Sequence, residues 1–381
     1  MAGSSQKDVF LQSEGDVYHS GNLLEEVTVR RCVRCVMPET WAGLAFDAEG
    51  VCSACREAEK EAKIGWEERQ GWLRELLEQY RRYARGKGNK YNCLVGYSGG
   101  KDTAYTLWAA VVKYGMKPLV VTFDHGFPLS EAGEWNLKEI PRKLDCDHLR
   151  FSLGEGLRNA LCRKGSEVNG DFCWHCHNGV GALPARISKQ WDIPLQLWGE
   201  PSAAYQTFGA YRYEDLEEQD KAHFEKVFQA GVTPEMVVPP GYELADLLPM
   251  TWPEGEFPLK AIYLGNFESW DQREHVEIIT RELGWKHHPT EGSYVDWDKV
   301  DCPFEPVRDW QKFLKRGFGR TTFQASKDIR AGLMTREEGL RLVEQHDGKR
   351  PASLDLFLED TGMTEEEFDR ITKRHVVPRS G

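Results

Sequence analysis

Residues 93–103, with the sequence Cys-Leu-Val-Gly-Tyr-Ser-Gly-Gly-Lys-Asp-Thr, determine the fold. The apolar run Cys93–Tyr97 predicts a buried strand, and a helix is expected after the glycines. Glycines let the backbone approach a ligand closely, and the free N–H groups at a helix N-terminus bind anions. A Walker A loop is excluded, because it needs Ser or Thr after its Lys and Asp102 follows Lys101 here. The segment therefore predicts a phosphate-binding turn between a strand and a helix.

Strand-like and helix-like segments alternate on both sides of this turn. Short apolar runs predict strands at Cys93–Tyr97, Pro118–Phe123, His148–Phe151 and Pro194–Trp198, with a further apolar run at Ala261–Leu264. Helices are predicted between them at about 103–114, 131–144, 155–163 and 180–191. Such alternation is typical of βαβ units, so we expect an α/β fold with a parallel-sheet, Rossmann-like core.

The pattern divides the chain into five parts. Residues 1–27 show little periodicity and are predicted to be a loose extension, and residues 28–62 form a four-cysteine module. Residues 63–90 are predicted to be a linking helix, residues 91–270 the α/β core, and residues 271–381 a mainly helical C-terminal region.

Helical periodicity is clearest on either side of the core. Apolar residues between Glu57 and Tyr83 recur at three- and four-residue intervals, which predicts one amphipathic helix. The tail from about residue 305 also has a helical pattern. Two capping boxes support helices there: Thr335 with Glu338, and Thr364 with Glu367.

The 381 residues contain 49 Lys and Arg against 61 Asp and Glu, a net charge of -12. Such a charge repels phosphate backbones, so nucleic acid is a disfavoured partner. No apolar stretch approaches the ~20 residues that a membrane span needs, and residues 1–21 do not have the pattern of a signal peptide. We therefore expect a cytoplasmic protein without a membrane span.

Four cysteines form the pattern Cys32-x2-Cys35-x16-Cys52-x2-Cys55. Two such knuckles at this separation are typical of a tetrahedral zinc site, and disulfides are not expected in a reducing compartment. Four protein ligands leave no open coordination position, so we assign the zinc to folding rather than to catalysis.

A second cluster, Cys173-Trp-His-Cys-His177, precedes a predicted helix. Three interpretations remain open. Cys173 and Cys176 can be a redox-active pair, ligands of zinc together with His175 or His177, or two of three thiolates of an iron–sulfur cluster with an open iron. Cys302 is the candidate for the third thiolate.

Other candidate ligand contacts follow from topology. In an open parallel sheet the ligand lies beyond the carboxyl ends of the strands. Asp124 and His125 follow the second predicted strand, and Gly199 and Glu200 follow a later one. Asp124 can accept a hydrogen bond from a ribose, or hold Mg²⁺ together with Asp102, and Glu200 can do either.

Basic residues recur on one face of the helix predicted near residue 305. They are Arg308, Lys312, Lys315 and Arg316, and Arg320 follows two further glycines. We expect this face, and Arg316 and Arg320 in particular, to bind the phosphates or carboxylate of a substrate. A solvated helix face is the alternative.

These motifs resemble known families. The Ser98–Thr103 loop resembles the PP-loop of the ATP pyrophosphatase superfamily, and the order of motifs over residues 30–375 resembles the N-acetyl sugar amidotransferase family of surface-polysaccharide and lipopolysaccharide biosynthesis. Besides that loop, the motifs are Cys-x-x-Cys-Val-Met-Pro (32–38), Thr-Phe-Asp-His-Gly-Phe (122–127), Cys-Trp-His-Cys-His (173–177), Trp-Gly-Glu (198–200), Tyr-Leu-Gly-Asn-Phe-Glu (263–268), Lys-Arg-Gly-Phe-Gly-Arg (315–320) and Asp-Ile-Arg-Ala-Gly (328–332).

The resemblance implies an AMP-forming enzyme that uses ATP, Mg²⁺ and ammonia to convert a sugar N-acetyl group into an acetamidino group. Its implied catalytic residues are Ser98, Lys101 and Asp102. The residues expected at ATP are Ser98, Gly99, Gly100, Lys101, Asp102, Thr103, Asp124, His125, Gly199 and Glu200. The family more usually has Ser where this chain has Thr103, which keeps the hydroxyl.

The resemblance also implies partners. The substrate is expected to be a nucleotide-linked or acidic N-acetyl sugar, and ammonia is expected from a separate glutaminase. Two alternatives remain: a tRNA-modifying enzyme of the thiolation type, which would share the loop and an iron–sulfur cluster, and a non-catalytic zinc-bearing adaptor that binds a nucleotide.

Overall fold

The computed structural model describes residues 9–12, 15–20, 27–204 and 211–377. Strands in this part of the chain are β1 Val9–Gln12, β2 Gly15–Ser20, β3 Val27–Arg30, β4 Cys93–Gly96, β5 Pro118–Asp124, β6 His148–Ser152, β7 Leu195–Trp198 and β8 Lys260–Tyr263. The α-helices are α1 Ser53–Glu61, α2 Trp66–Lys87, α3 Lys101–Trp108, α4 Glu131–Lys143, α5 Glu155–Asn169, α6 Trp174–Gln190, α7 Lys221–His223, α8 Pro234–Val237, α9 Gln272–Leu283, α10 Glu305–Arg316, α11 Arg320–Arg330, α12 Arg336–His346, α13 Ser353–Thr361 and α14 Glu365–Lys373.

The centre of the fold is a five-stranded parallel sheet in the order β6-β5-β4-β7-β8. This confirms the α/β fold with a parallel, Rossmann-like core. The strand β4 has β5 on one side and β7 on the other, so the chain changes direction across the sheet at β4. Open α/β sheets bind ligands at such a switch point, beyond the carboxyl ends of the strands.

Successive strand residues point to opposite faces of the sheet, and each face is covered by helices. Val95 of β4 packs in one apolar cluster with Leu107 of α3 and Leu77 of α2. Its neighbour Leu94 packs in another cluster with Leu183 of α6. Burial on both faces explains why β4 and β5 are almost continuously apolar in sequence.

The N-terminal part differs from expectation in two places. Residues 1–27 were expected to be a loose extension, but β1, β2 and β3 form an antiparallel sheet, because strands of four to six residues are too short to register as periodicity. The predicted helix Glu57–Tyr83 is two helices, α1 and α2, separated at residues 62–65. Both keep the same spacing of apolar residues, so the pattern alone does not reveal the break.

The C-terminal region is helical, as predicted from residue 305. The hydroxyl of Thr335 accepts a hydrogen bond from the N–H of Glu338 in a complete capping box, and Thr364 caps α14 through the N–H of Glu367. Buried aromatic residues join this region to the core, among them Phe127, Phe172 and Phe357.

Candidate nucleotide site and metal centres

The loop of residues 98–103 joins the carboxyl end of β4 to the N-terminus of α3. Gly99 has a φ of 89°, and a Cβ there would lie 3.2 Å from the backbone nitrogen of Leu137 in α4, so glycine is required. The indole N–H of Trp285 donates to the carbonyl oxygen of Gly99 at 2.9 Å. The loop is therefore held in place from two sides.

Hydroxyl groups fix the loop from within. The backbone N–H of Ser98 donates to Oγ1 of Thr103 at 3.2 Å, and the Thr103 hydroxyl donates to the carbonyl oxygen of Gly100 at 3.1 Å. The N–H of Gly100 lies 3.3 Å from Oγ of Ser98 and donates to it. Thr103 thus supplies the hydroxyl that the more usual Ser would supply at this position.

Lys101 is the first residue of α3 and is almost fully buried. Its Nζ lies 2.8 Å from Oδ1 of Asp298 and 3.0 Å from Oδ2 of Asp102. Burial by itself lowers the pKa of Lys101, but the two carboxylates outweigh it and raise that pKa above its usual range. The ammonium group is therefore a permanent positive charge at the mouth of the loop.

Asp102 and Glu200 are brought together, as their positions after β4 and β7 predict. The amide nitrogen of Gln272 lies 3.4 Å from Oδ1 of Asp102 and 3.1 Å from Oε2 of Glu200, and bridges them. Lys327 of α11 forms an ion pair with Glu200. Burial raises the pKa of Glu200, although Lys327 opposes the shift. A Cβ on Gly199 would clash with Thr106 at 2.8 Å, so this turn packs directly on α3.

Asp124 and His125 lie at the same edge of the sheet but face a different set of partners. Asp124 is bound by Arg150, with Nε to Oδ2 at 2.8 Å. Nδ1 of His125 accepts from the N–H of Phe127, so Nε2 carries the proton and donates to the carbonyl oxygen of Asp301 at 3.0 Å.

Segment 296–302 folds back over the loop and contains residues that sequence reasoning missed. A Cβ on Gly100 would lie 3.0 Å from the carboxylate of Asp301, so this carboxylate is in contact with the loop. Lys299, between Asp298 and Asp301, has a φ of 59°, a conformation that non-glycine residues rarely adopt. Two aspartates flanking one lysine were a weak sequence signal, since surface loops often contain the same residues.

The four cysteines of the N-terminal module converge, as their spacing predicts. All four Sγ atoms lie within 4.8 Å of one another, with Cys32 to Cys55 at 3.9 Å and Cys35 to Cys52 at 3.6 Å. A tetrahedral zinc ion with Zn–S bonds of about 2.3 Å needs Sγ atoms roughly 3.8 Å apart. Backbone N–H groups of Arg34 and Cys52 also point at Sγ of Cys32. The residues therefore fit a structural metal such as zinc.

The second cysteine cluster is less compact. In the described part of the chain, the four N-terminal cysteines are the only group of three or more metal-ligand side chains within 4.8 Å, so Cys173, Cys176 and Cys302 do not converge on a single ion. They are nevertheless neighbours. Burial raises the pKa of Cys173 and of Cys302, and in each case other thiols of this cluster add to the shift.

Cys173 and Cys176 lie at the start of a helix that begins earlier in the chain than the sequence pattern predicts. Helix α6 begins at Trp174 rather than near Val180, so Cys173 is its N-cap and Cys176 lies in its first turn. His, Cys, Asn and Gly in this turn do not form an apolar stripe, and periodicity therefore missed them. Burial lowers the pKa of both His175 and His177 to about 4, which keeps these rings neutral.

The basic residues of the cationic face predicted on α10 are engaged by other groups of the protein. Arg308 pairs with Asp171, and Lys312 with Asp309, because α10 packs into the core on this side. The side chain of Lys315 donates to the carbonyl oxygen of Gly170. These contacts bind α10 to neighbouring elements instead of leaving its charges for a substrate.

Arg316 and Arg320, the two expected substrate ligands, are engaged in the same way. Arg316 donates to the carbonyl oxygen of Thr40 at 2.7 Å and ties α10 to the four-cysteine module. Arg320 is buried and pairs with Asp309 at 2.9 Å and with Asp298 at 3.7 Å. Arg320 and Lys101 thus share the carboxylate of Asp298, and Arg320 supports the loop through that residue.

A cavity of about 330 Å³ lies between α1 and α11, and we call it the α1–α11 cavity. Residues 269–273 and 294–298 complete its wall. Glu200 and Lys327 line it, so it reaches the residues that contact Asp102.

A larger cavity of about 610 Å³ borders the same segment farther along the chain, and we call it the α13 cavity. Pro128, Leu129 and Ser130 line it just after β5, and Lys299 and Cys302 line it from the segment that covers the loop. The two cavities therefore both border the segment 296–302 that covers the 98–103 loop.

The architecture and sites define an α/β protein with a glycine-rich loop at the switch point of its parallel sheet and a buried four-cysteine cluster that could hold a metal. A family model described as "LPS biosynthesis protein WbpG-like, C-terminal domain" matches residues 291–380. This match supports a lipopolysaccharide-biosynthesis context. The matched region supplies Asp298 to Lys101 and Lys327 to Glu200. No curated protein matches the chain.

No helix among the described residues is long and apolar enough to cross a lipid bilayer.

Proposed function

We propose that the chain is an ATP-dependent, AMP-forming amidotransferase that converts the N-acetyl group of a sugar into an acetamidino group during lipopolysaccharide or other surface-glycan biosynthesis. The observation that carries this proposal is the 98–103 loop, which places Lys101 and free helix N–H groups at the sheet's switch point, next to residues of the WbpG-like region.

The chemistry has two steps. An amide oxygen is a poor leaving group, so ammonia cannot displace it directly. In the first step the acetamido oxygen attacks the α-phosphate of ATP, the bond from the α-phosphate to the bridging oxygen breaks, and pyrophosphate leaves. In the second step ammonia adds to the imidate carbon, and AMP leaves with the former amide oxygen. The products are an amidine, AMP, pyrophosphate and a proton.

Lys101 and the N–H groups at the start of α3 would stabilise the charge that develops on the phosphates. Ser98 and Thr103 would hold these groups in place through their mutual hydrogen bonds. Mg²⁺ that accompanies ATP would be held by carboxylates at this edge, with Asp102 the nearest to the loop. Asp102 already pairs with Lys101, so Lys101 would contact the phosphates directly and Asp102 would act on them only through Mg²⁺.

The adenosine half of ATP would occupy the α13 cavity. Its lining by residues 128–130 follows β5 directly, where open α/β sheets bind nucleotides. Asp124 ends β5 and His125 follows it, and His125 contacts Asp301 of the segment that borders this cavity. Because Asp301 contacts Gly100, ATP would have to displace this carboxylate or share the loop with it through Mg²⁺.

Ammonia would come from a separate glutaminase. The three thiols Cys173, Cys176 and Cys302 would hold an iron–sulfur cluster beside the α13 cavity, which Cys302 lines. Each thiolate of such a cluster binds a different iron, so the thiols need not converge on one point.

The proposal is tested by the nucleotide products. Protein incubated with MgATP, ammonium and a panel of nucleotide-linked N-acetyl sugars should release AMP and pyrophosphate only when an acceptor sugar is present. Lys101→Ala should lower this rate by roughly 100-fold, because losing about 3 kcal/mol of transition-state stabilisation at the phosphates slows a reaction by about that factor. Stoichiometric ADP, or AMP release that requires tRNA instead of a sugar, would contradict the proposal.

A further inference from the structure

Helix α1 turns a face of small side chains toward the α1–α11 cavity. Ala54, Ala58 and Ala62 are four residues apart, so they share one face of the helical turn, and all three line the cavity. Cys52 and Cys55, at the start of the same helix, belong to the four-cysteine centre. The metal centre thus holds α1 in place while its alanine face leaves room beside it.

Aromatic side chains supply much of the remaining wall. They are Trp66, Trp270, Trp297, Tyr213, Tyr294 and Phe323. The ring of Trp66 meets that of Tyr213 edge to face, with centroids 6.3 Å apart. Flat apolar surfaces combined with a few polar groups are typical of small-molecule sites, and they suit the apolar face of a pyranose ring.

Carboxylates provide the polar groups of this wall. Glu61 and Glu200 both line the cavity, and burial raises the pKa of each. Carboxylate oxygens accept hydrogen bonds, and the hydroxyl groups of a sugar donate them. The lining therefore matches a ligand that is rich in hydroxyl donors.

The basic residues of the wall already have partners. Lys327 pairs with Glu200, and Arg273 pairs with Asp328. With its cations paired in this way, the cavity is poorly suited to a polyphosphate backbone such as that of RNA. Five carboxylates and three basic side chains line it, so the wall carries more negative than positive charge.

The inner end of the cavity is formed by residues that contact the 98–103 loop, and no residue of the loop itself lines the cavity. Asp298 lines the cavity and binds Lys101, and Gln272 lines it and donates to Asp102. The indole of Trp270 also donates to Asp102 at 3.3 Å. A group placed at this end of the cavity would be separated from a nucleotide bound to the loop only by these three side chains.

We propose that the α1–α11 cavity is the acceptor site, in which a pyranose ring packs between the alanine face of α1 and the aromatic wall, with its acetamido group directed at Lys101 and Asp102. This inference rests on the proposed function and assigns its substrate site. It gives the four-cysteine module a second role, because the helix that the metal fixes is a wall of the substrate site. It also replaces Arg316 and Arg320 as the expected substrate contacts.

The proposal is tested with a variant that places a larger side chain of α1 in the cavity. Ala58→Leu adds bulk to the alanine face, and Ala48→Leu makes the same change at an exposed position of the same module. Binding is measured by saturation-transfer difference NMR with N-acetylglucosamine, N-acetylmannosamine and N-acetylgalactosamine, each free and as its UDP ester. We expect at least one probe to bind the wild type, Ala58→Leu to weaken that binding tenfold or more, and Ala48→Leu to leave it unchanged.

A second pair of variants covers the case in which Ala58→Leu does not fold. Trp66→Ala removes an aromatic wall of the cavity, and Trp72→Ala removes an exposed tryptophan of the same helix that does not line it. Only Trp66→Ala should weaken binding of the probe sugar. Metal content must be equal in all four variants, so that a change in binding reports on the cavity and not on the metal centre.

Binding of the α,β-methylene analogue of ATP distinguishes failure of the proposed function from failure of the cavity assignment. If the analogue does not bind the wild type, the proposed function is wrong. If the analogue binds but the probe sugars bind Ala58→Leu and Trp66→Ala as well as the wild type, the acceptor site lies elsewhere and the cavity assignment alone is wrong. If none of the sugars binds the wild type, the cavity is not a site for an N-acetylhexosamine.

Discussion

Lys101 Nζ and Asp298 Oδ1 lie 2.8 Å apart, and this contact joins the loop after β4 to the region that matches the WbpG-like domain. Both side chains are less than one tenth exposed. The same carboxylate lies 3.7 Å from Arg320 and accepts a hydrogen bond from Gln324 at 2.9 Å. A single aspartate of the C-terminal region therefore balances two buried cations at the centre of the candidate site.

Replacing that aspartate should destabilise the whole protein. Asp298→Ala leaves Lys101 and Arg320 buried with one partner fewer each, and breaking a buried pair in this way costs about 3–5 kcal/mol. Glu59→Ala, which breaks the exposed pair with Arg34, should have little effect on the free energy of unfolding, because solvent screens that pair. Urea unfolding measures both. Equal losses for the two variants would show that Asp298 does not have this role.

Removing one N-terminal cysteine should release the metal. Cys52→Ser takes one thiolate from the four-cysteine centre, and because metal binding and folding of such a site are one equilibrium, the module should unfold. Elemental analysis should find about one equivalent of zinc in the wild type and in Cys146→Ser, whose thiol lies outside the centre. Unchanged zinc in soluble Cys52→Ser would place the metal elsewhere.

The three remaining cysteines of interest should hold an iron–sulfur cluster. Anaerobic reconstitution should give a brown protein with broad absorption near about 400 nm, and Cys173→Ser, Cys176→Ser or Cys302→Ser should each weaken it. Cys146→Ser is again the control. A colourless reconstituted wild type whose activity is still lost in Cys173→Ser would mean that these residues act as thiols or zinc ligands.

Acid sensitivity should depend on His275. Its ring stacks on Tyr105 with centroids 3.4 Å apart, and burial lowers its pKa to about 3. The unfolded chain takes up this proton near pH 6.5 while the folded protein does not, so stability falls as the pH drops from about 6.5 toward 3.

His275→Phe keeps an aromatic ring beside Tyr105 but cannot titrate. Between pH 7 and pH 5 the free energy of unfolding should fall by up to about 2 kcal/mol less in this variant than in the wild type. Urea unfolding at both pH values gives the difference. An identical fall in the two proteins would exclude His275 as a source of acid sensitivity.

The sequence was sufficient for the parts of the molecule that local chemistry defines. Apolar runs located β4 to β8, and paired Cys-x2-Cys knuckles located the four-cysteine cluster that could hold a metal, because both signals are carried by residues close together in the chain. The break between α1 and α2 and the early start of α6 were missed, since neither interrupts or forms an apolar stripe.

Only the part of the candidate site that is built from neighbouring residues could be predicted from the sequence. Ser98 to Asp102 stand out because glycine and lysine occur at a strand–helix junction. Asp298 reaches Lys101 from 197 residues away and Lys327 reaches Glu200 from 127 residues away, and both look like ordinary surface charges in sequence. The basic residues of α10 do share one face, as their spacing predicts. In the fold, however, Arg308 pairs with Asp171 and Lys315 donates to the carbonyl oxygen of Gly170, and the spacing does not reveal these partners.

The fate of the acetamido oxygen shows whether ATP activates the sugar by adenylation. If ATP activates the N-acetyl group by adenylation, the amide oxygen must leave as part of AMP. With an acceptor sugar that carries ¹⁸O in its acetamido carbonyl, together with MgATP and ammonium, mass spectrometry should find one ¹⁸O atom in the phosphate of AMP for each acetamidino group formed. Unlabelled AMP, or label in inorganic phosphate released with ADP, would contradict the account.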